Sequence, residues 1–147
     1  MERAKNYILI DHIPVAVDCY TLEGLTEWVT WMEDFSRCRV ADDFIGSFWI
    51  STVFLGVDQR LFAGPPLLFR TTILENKACT CLLIDDNVQL IDQITSELDG
   101  LMWQYATWAE AKQGHALVVG MVRRSILKDG QWWEFVANLL RDKPGCR

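Results

Sequence analysis

The sequence predicts an α+β fold in which a mostly antiparallel sheet of four to six strands is packed by two or three helices. Three observations predict it. Short β-rich runs recur with turn residues between them, an amphipathic helical pattern lies near the amino end, and a marked helix start follows the last strand-like segment. The 147 residues, half of them hydrophobic, suit a single globular domain spanning 1–147.

Tyr7 to Val17 is apolar and β-branched, with Asp11-His12 interrupting it and Pro14 following, and so reads as a hairpin with His12 at its turn and its second strand at a sheet edge. From Asp18 or Thr21 on, Leu22, Leu25, Trp28, Val29 and Met32 recur at three and four, while Glu23, Glu27, Thr30, Glu33 and Asp34 fill the other side. That spacing predicts an amphipathic helix, with the aromatic set Trp28, Trp31 and Phe35 read as core packing. Arg39–Ile45 and Ser47–Leu55 form two strands around Gly46. The second is bulky on both faces, which predicts a central strand covered by a helix on one face and by a loop, helix or partner on the other. A punctuated loop, Gly56-Val57-Asp58-Gln59 through Ala63-Gly64-Pro65-Pro66, leads to a strand over Leu67–Leu74.

Ala78–Ile84 reads as a short strand and Asn87–Leu98 as a short helix on the spacing of Val88, Ile91, Ile94 and Leu98. This stretch carries Glu75, Asp85, Asp86, Asp92, Glu97 and Asp99 against Lys77 alone, which reads as a solvated face. Leu101–Tyr105 is the last strand. Thr107-Trp108-Ala109-Glu110 has capping-box form, and Trp108, Ala111, His115, Val118 or Val119, and Val122 make one apolar stripe to about Arg124. Asp129-Gly130 reads as a break before a further helix over 130–142, carrying Trp132, Trp133, Val136, Leu139 and Leu140 and ended by Pro144-Gly145.

The formal charge of −6 argues against binding to a phosphate backbone, so nucleic acid is not the expected partner. Apolar runs fall short of the ~20 residues that a bilayer span needs, and the start of the chain does not read as a secretion signal, so no membrane partner is expected either. The five cysteines lack a C-x-x-C pair or a histidine at zinc-ligand spacing. They read as free thiols, with neither metal nor cofactor implied.

Proton-transfer chemistry has only His12 and His115 to draw on. His115 falls on the apolar helix stripe, where a hydrogen-bonded core histidine is the ordinary outcome. Ser51 and Thr52 lie mid-strand rather than on a strained elbow, so neither reads as a nucleophile. Gly64-Pro65-Pro66 removes backbone donors where a phosphate loop would present them. Asp58, in the loop after the central strand, is the best single candidate for chemistry, though an Asx turn explains it as well. Trp132-Trp133 offers two adjacent aromatics that one helix face cannot bury equally, and thus a candidate interaction surface.

The segments Val40–Asp43, Ile50-Ser51-Thr52-Val53-Phe54-Leu55-Gly56-Val57-Asp58, Pro65-Pro66-Leu67-Leu68-Phe69-Arg70-Thr71 and Tyr105-Ala106-Thr107-Trp108-Ala109-Glu110-Ala111 with Gly114-His115 together resemble a family of small proteins of unassigned activity encoded by tailed bacteriophages and prophages. Its members carry S-T-V-F-L-G-x-D-H, then P-L-L-F-E-T, then Y-x-T-W-x-E-A-x-x-G-H. The match spans roughly residues 7 to 124. Gln59 stands where the family has His, and Arg70 where it has Glu. Residues 76–96 and the tail after Arg124 look like additions to the family core. The resemblance implies a phage or prophage origin and a host-cytoplasmic location.

Two functions follow as expectations. The first is an accessory protein that binds a host or phage protein, for instance as a host-takeover or anti-defence inhibitor, with a homo-oligomer as a further option. The second is a small enzyme or ligand-binding protein with a cleft near Asp58, Arg70 and His115, where Arg70 would pair an anion and His115 would move a proton.

Overall fold

A computed structural model describes the backbone of residues 5–75, 81–84, 87–90 and 98–141, and the side chains of 5–75 and 98–126. The architecture is α+β, as the sequence predicts. Its centre is a four-stranded antiparallel meander in which each strand pairs with the next: β3 (Arg39–Ile45), β4 (Phe48–Phe54), β5 (Phe69–Glu75) and β8 (Met102–Tyr105). Two separate hairpins accompany it, β1 (Asn6–Ile10) with β2 (Ile13–Val17), and β6 (Cys81–Ile84) with β7 (Asn87–Leu90).

The first hairpin closes through Asp11 and His12, both at positive φ (50° and 65°). Two left-handed residues in a two-residue loop define a type I′ turn, whose twist matches that of the strands it joins. His12 therefore sits at the turn, and its ring stacks on Trp108 with centroids 3.8 Å apart. The helix α1 (Leu22–Met32) starts at Thr21, whose hydroxyl accepts from the Gly24 amide at 3.1 Å. None of its residues is fully buried, and Leu22, Leu25 and Val29 are exposed. Only Trp28, Trp31 and Met32 reach inward, so the expected apolar face is turned half away from the core. A four-residue helix α2 (Phe35–Cys38), capped by Asp34, leads into β3.

β3 and β4 meet at Gly46-Ser47, where positive φ falls on Gly46 alone (58°), the type II′ pattern that glycine accommodates without cost. β4 alternates strictly: Phe48, Ile50, Thr52 and Phe54 are buried, while Trp49, Ser51 and Val53 face the other way. The second face is the less covered of the two, with Trp49 37% exposed. Bulk on both sides of a strand therefore marks a sheet whose second face is left partly open. β5 continues the pattern through Phe69, Thr71 and Ile73.

α3 (Trp108–Arg141) crosses the closed face. Its start is the predicted capping box: the Glu110 amide donates to the Thr107 hydroxyl at 3.2 Å, and the Glu110 carboxylate accepts from the Ala106 amide at 3.1 Å. Ala111, His115, Val118, Val119 and Val122 are all buried beneath it. Val118, Val119 and Val122 pack with Phe48, Ile50 and Ile73, while Ala111 joins Leu9, Phe54, Leu68 and Phe69 at the other end of the core. Each such side chain contributes about 1.5–3 kcal/mol when fully buried.

Two sequence expectations are overturned. Residues 87–90 of the expected Asn87–Leu98 helix form β7, with Ile84 paired to Asn87 across a two-residue connection. A segment that short gains more from a hairpin partner than from a helix of marginal length; residues 91–97 of that expected helix lie outside the description, as do Asp85, Asp86, Asp92 and Glu97 of the expected acidic face. Likewise, Asp129-Gly130 does not separate two helices, because α3 runs unbroken to Arg141. One interior glycine costs only about 1 kcal/mol against alanine, which a long helix absorbs.

Candidate functional site

The sheet presents two different chemistries on its two faces. On the face under α3, two inward positions that apolar neighbours would lead one to expect as hydrophobic are Thr52 and Thr71. They lie opposite each other on β4 and β5 with their hydroxyls 2.6 Å apart. Thr52 is also 2.7 Å from Nδ1 of His115, whose Nε2 is 2.8 Å from a carboxylate oxygen of Asp43 on β3. One arrangement of hydrogens satisfies the whole row: Thr71 donates to Thr52, Thr52 donates to Nδ1, and Nε2–H donates to Asp43. Every strand that α3 covers except β8 thereby contributes one polar group to the same chain.

An acid, an imidazole and a hydroxyl in that order have the connectivity of a nucleophilic triad. Both threonines, however, have 0% exposure, with α3 lying over them. No substrate atom can approach Thr52, so the row acts as a hydrogen-bonded strut between helix and sheet. Sequence reading places His115 correctly as a hydrogen-bonded core residue and misses its three partners. The available signal is the polar residue at an inward position of each strand, Asp43 opposite Ile50, then Thr52, then Thr71.

The other face is built differently. Phe44, Trp49 and Leu74 lie side by side across β3, β4 and β5, with Phe44 and Trp49 stacked at 5.9 Å. Next come Asp42, Ser51, Thr72 and Met102, then Val53, Arg70 and Gln104. Asp42 accepts from the Trp49 indole at 3.1 Å and pairs with Arg39 at 2.7 Å. A groove of about 320 Å³ runs along the β4 side of this face, lined by Met32, Phe35, Trp49, Ser51, Val53 and Leu55 among others. Cys38 also borders it; burial first, and then the nearby Asp34 carboxylate, push its thiol up from the ordinary value, which disfavours the thiolate.

The expected cleft among Asp58, Arg70 and His115 does not form. Asp58 is occupied in its own loop: one oxygen accepts from the Arg60 and Leu67 amides at 3.0 and 3.1 Å, and the other pairs with the Arg60 guanidinium at 2.7 Å. It is the turn former of the alternative reading, pinning both ends of the loop. Arg70 stands on the open face of β5 and His115 against the closed one, so the sheet itself separates them. Trp132 and Trp133 lie on α3, and their side chains fall outside the description. Among the described residues, no cluster of three or more His, Cys, Asp or Glu is placed to hold a metal ion.

Comparison with protein-family models, with curated proteins and with solved structures finds no match to this chain. Among the described residues, no helix is long and apolar enough to cross a membrane.

Proposed function

We propose that the chain is a phage- or prophage-encoded accessory protein of the host cytoplasm that acts by binding another protein, as a host-takeover or anti-defence factor would. The observation that supports the reading is the open sheet face. Phe44 is 77% exposed, Met102 53%, Leu74 40% and Trp49 37%, on neighbouring strands of one rigid sheet. Apolar side chains scattered singly on a surface need no explanation, but a contiguous group rimmed by polar residues is the composition of an interface core. Aromatic residues supply most of the energy at such contacts.

Affinity capture from infected or lysogenic cells tests this when the unaltered chain and three variants are compared as baits. Phe44→Ser and Trp49→Ser remove the open-face aromatics, while Leu117→Ser removes an exposed leucine of α3 as a control. A protein retained by the unaltered chain and by Leu117→Ser, and lost with both face variants, is the expected result. Equal retention by all three, or no specific protein at all, overturns the reading. Self-association abolished by Phe44→Ser, with nothing else captured, overturns it in favour of a homo-oligomer.

A further inference from the structure

Arg70 sits on β5 between Val53 and Gln104, within the open face. Its guanidinium makes one hydrogen bond among the described residues, from Nη2 to the Gln59 side-chain oxygen at a long 3.4 Å. Its Nε–H is buried and has no partner there. The carboxylates that the neighbourhood offers are already engaged, Asp58 by Arg60 and Asp42 by Arg39 and Trp49. The Nε–H lies too deep for a partner to reach, whereas the Nη groups carry further N–H donors that no described residue accepts from, and these can meet the oxygens of a carboxylate in charge-assisted hydrogen bonds.

The setting selects among anions. The Gln59 side-chain oxygen is the one atom bonded to the guanidinium among the described residues, and the cations Arg60 and Arg39 are each paired to a carboxylate, Asp58 and Asp42. A single positive charge balances a monoanionic carboxylate, whereas a phosphate dianion draws on several donors and charges. Val53, the cross-strand neighbour of Arg70, also lines the groove that continues to Trp49. Four residues of strand separate Val53 from Trp49, about 13 Å at 3.3 Å per residue. That distance suits a carboxylate carried on a chain that has an apolar side chain a few residues away.

We infer that Arg70 is the anchor for an aspartate or glutamate side chain of the protein partner, held by the guanidinium while a neighbouring apolar side chain of the same segment enters the groove beside Trp49. This rests on the open face being the docking surface, and it adds the chemistry that the partner must present.

The test needs no identified partner. The capped peptide acetyl-Phe-Ala-Ala-Ala-Glu-amide, whose Phe and Glu lie about 13 Å apart when extended, is titrated into the full chain and read on the arginine Nε–H and tryptophan indole resonances by NMR, with Arg70 assigned by the peak missing from Arg70→Lys. Saturable movement of the Arg70 and Trp49 peaks is expected, with acetyl-Phe-Ala-Ala-Ala-Gln-amide at least roughly tenfold weaker, since it differs only in the charge. An unmoved Arg70 peak, an equal response to the Gln peptide, or a stronger response to inorganic phosphate than to the Glu peptide overturns the inference. The two readings can fail separately. A selective Arg70 response, with capture unaffected by Phe44→Ser, faults the docking face; loss of capture with a silent Arg70 faults the anchor alone.

Discussion

His115 shows how one side chain can couple a helix to three strands. Its two ring nitrogens and the two threonines form a continuous polar row in an otherwise apolar layer, and a row of that kind is worth having only while every member is satisfied. Truncation by His115→Ala leaves a cavity and strips Thr52 of its acceptor, and is expected to cost about 2–4 kcal/mol in urea unfolding. Asp43 is different, because its side chain is 44% exposed and water can replace it. Asp43→Asn should therefore cost only about 0.5–1.5 kcal/mol. An Asp43→Asn penalty equal to that of His115→Ala would show that the energy resides in the hydrogen bond to the Asp43 carboxylate rather than in the buried row. The histidine's role was legible from its place on the apolar stripe of α3. Its partners were not, because cross-strand register decides which residues of β3, β4 and β5 come together, and register is not written in any one strand.

At the level of elements, strands and helix starts were the readable part. The type I′ and II′ turns, the capping box and the alternation of β4 are local signals, and each appears where the sequence places it. Asn87–Leu90 and the continuity of α3 were not legible, because a short apolar run fits either period and an isolated glycine is a weak stop. Another glycine carries a sharper demand. A Cβ on Gly114 would lie 2.3 Å from Cε1, Cζ and Oη of Tyr105, so α3 can lie this close to the Tyr105 side chain of β8 only where the helix has no side chain. Gly114→Ala is expected to lower stability by about 1–3 kcal/mol despite alanine's better helix propensity, as a drop in the denaturation midpoint. A gain in stability, as propensity alone would give, would show that the helix and β8 do not meet in this way.

Across the whole molecule, burial is uneven. Ile50, Thr52, Phe54, Phe69, Thr71 and Ile73 are sealed between sheet and α3, whereas α1 buries no residue completely. Local opening should follow that division, so amides of β4, β5 and residues 111–122 are expected to exchange with deuterium far more slowly than those of Leu22–Met32. Comparable protection in α1 would mean that it is held more firmly than its contacts indicate. The open face follows the same logic at larger scale: the sequence shows bulk on both sides of β4, but only the assembled sheet reveals that, among the described residues, α3 covers one side while Trp49 on the other stays 37% exposed.

His12 at the first turn stacks on Trp108 at the start of α3, and Phe48, Ile50 and Ile73 on the inward side of the meander are covered by Val118, Val119 and Val122 of α3. A ribosome making this chain thus releases β3, β4 and β5 well before their lid exists. During that interval both sides of the nascent sheet are greasy, and a chaperone, or the protein's eventual target, has its earliest opportunity to engage it.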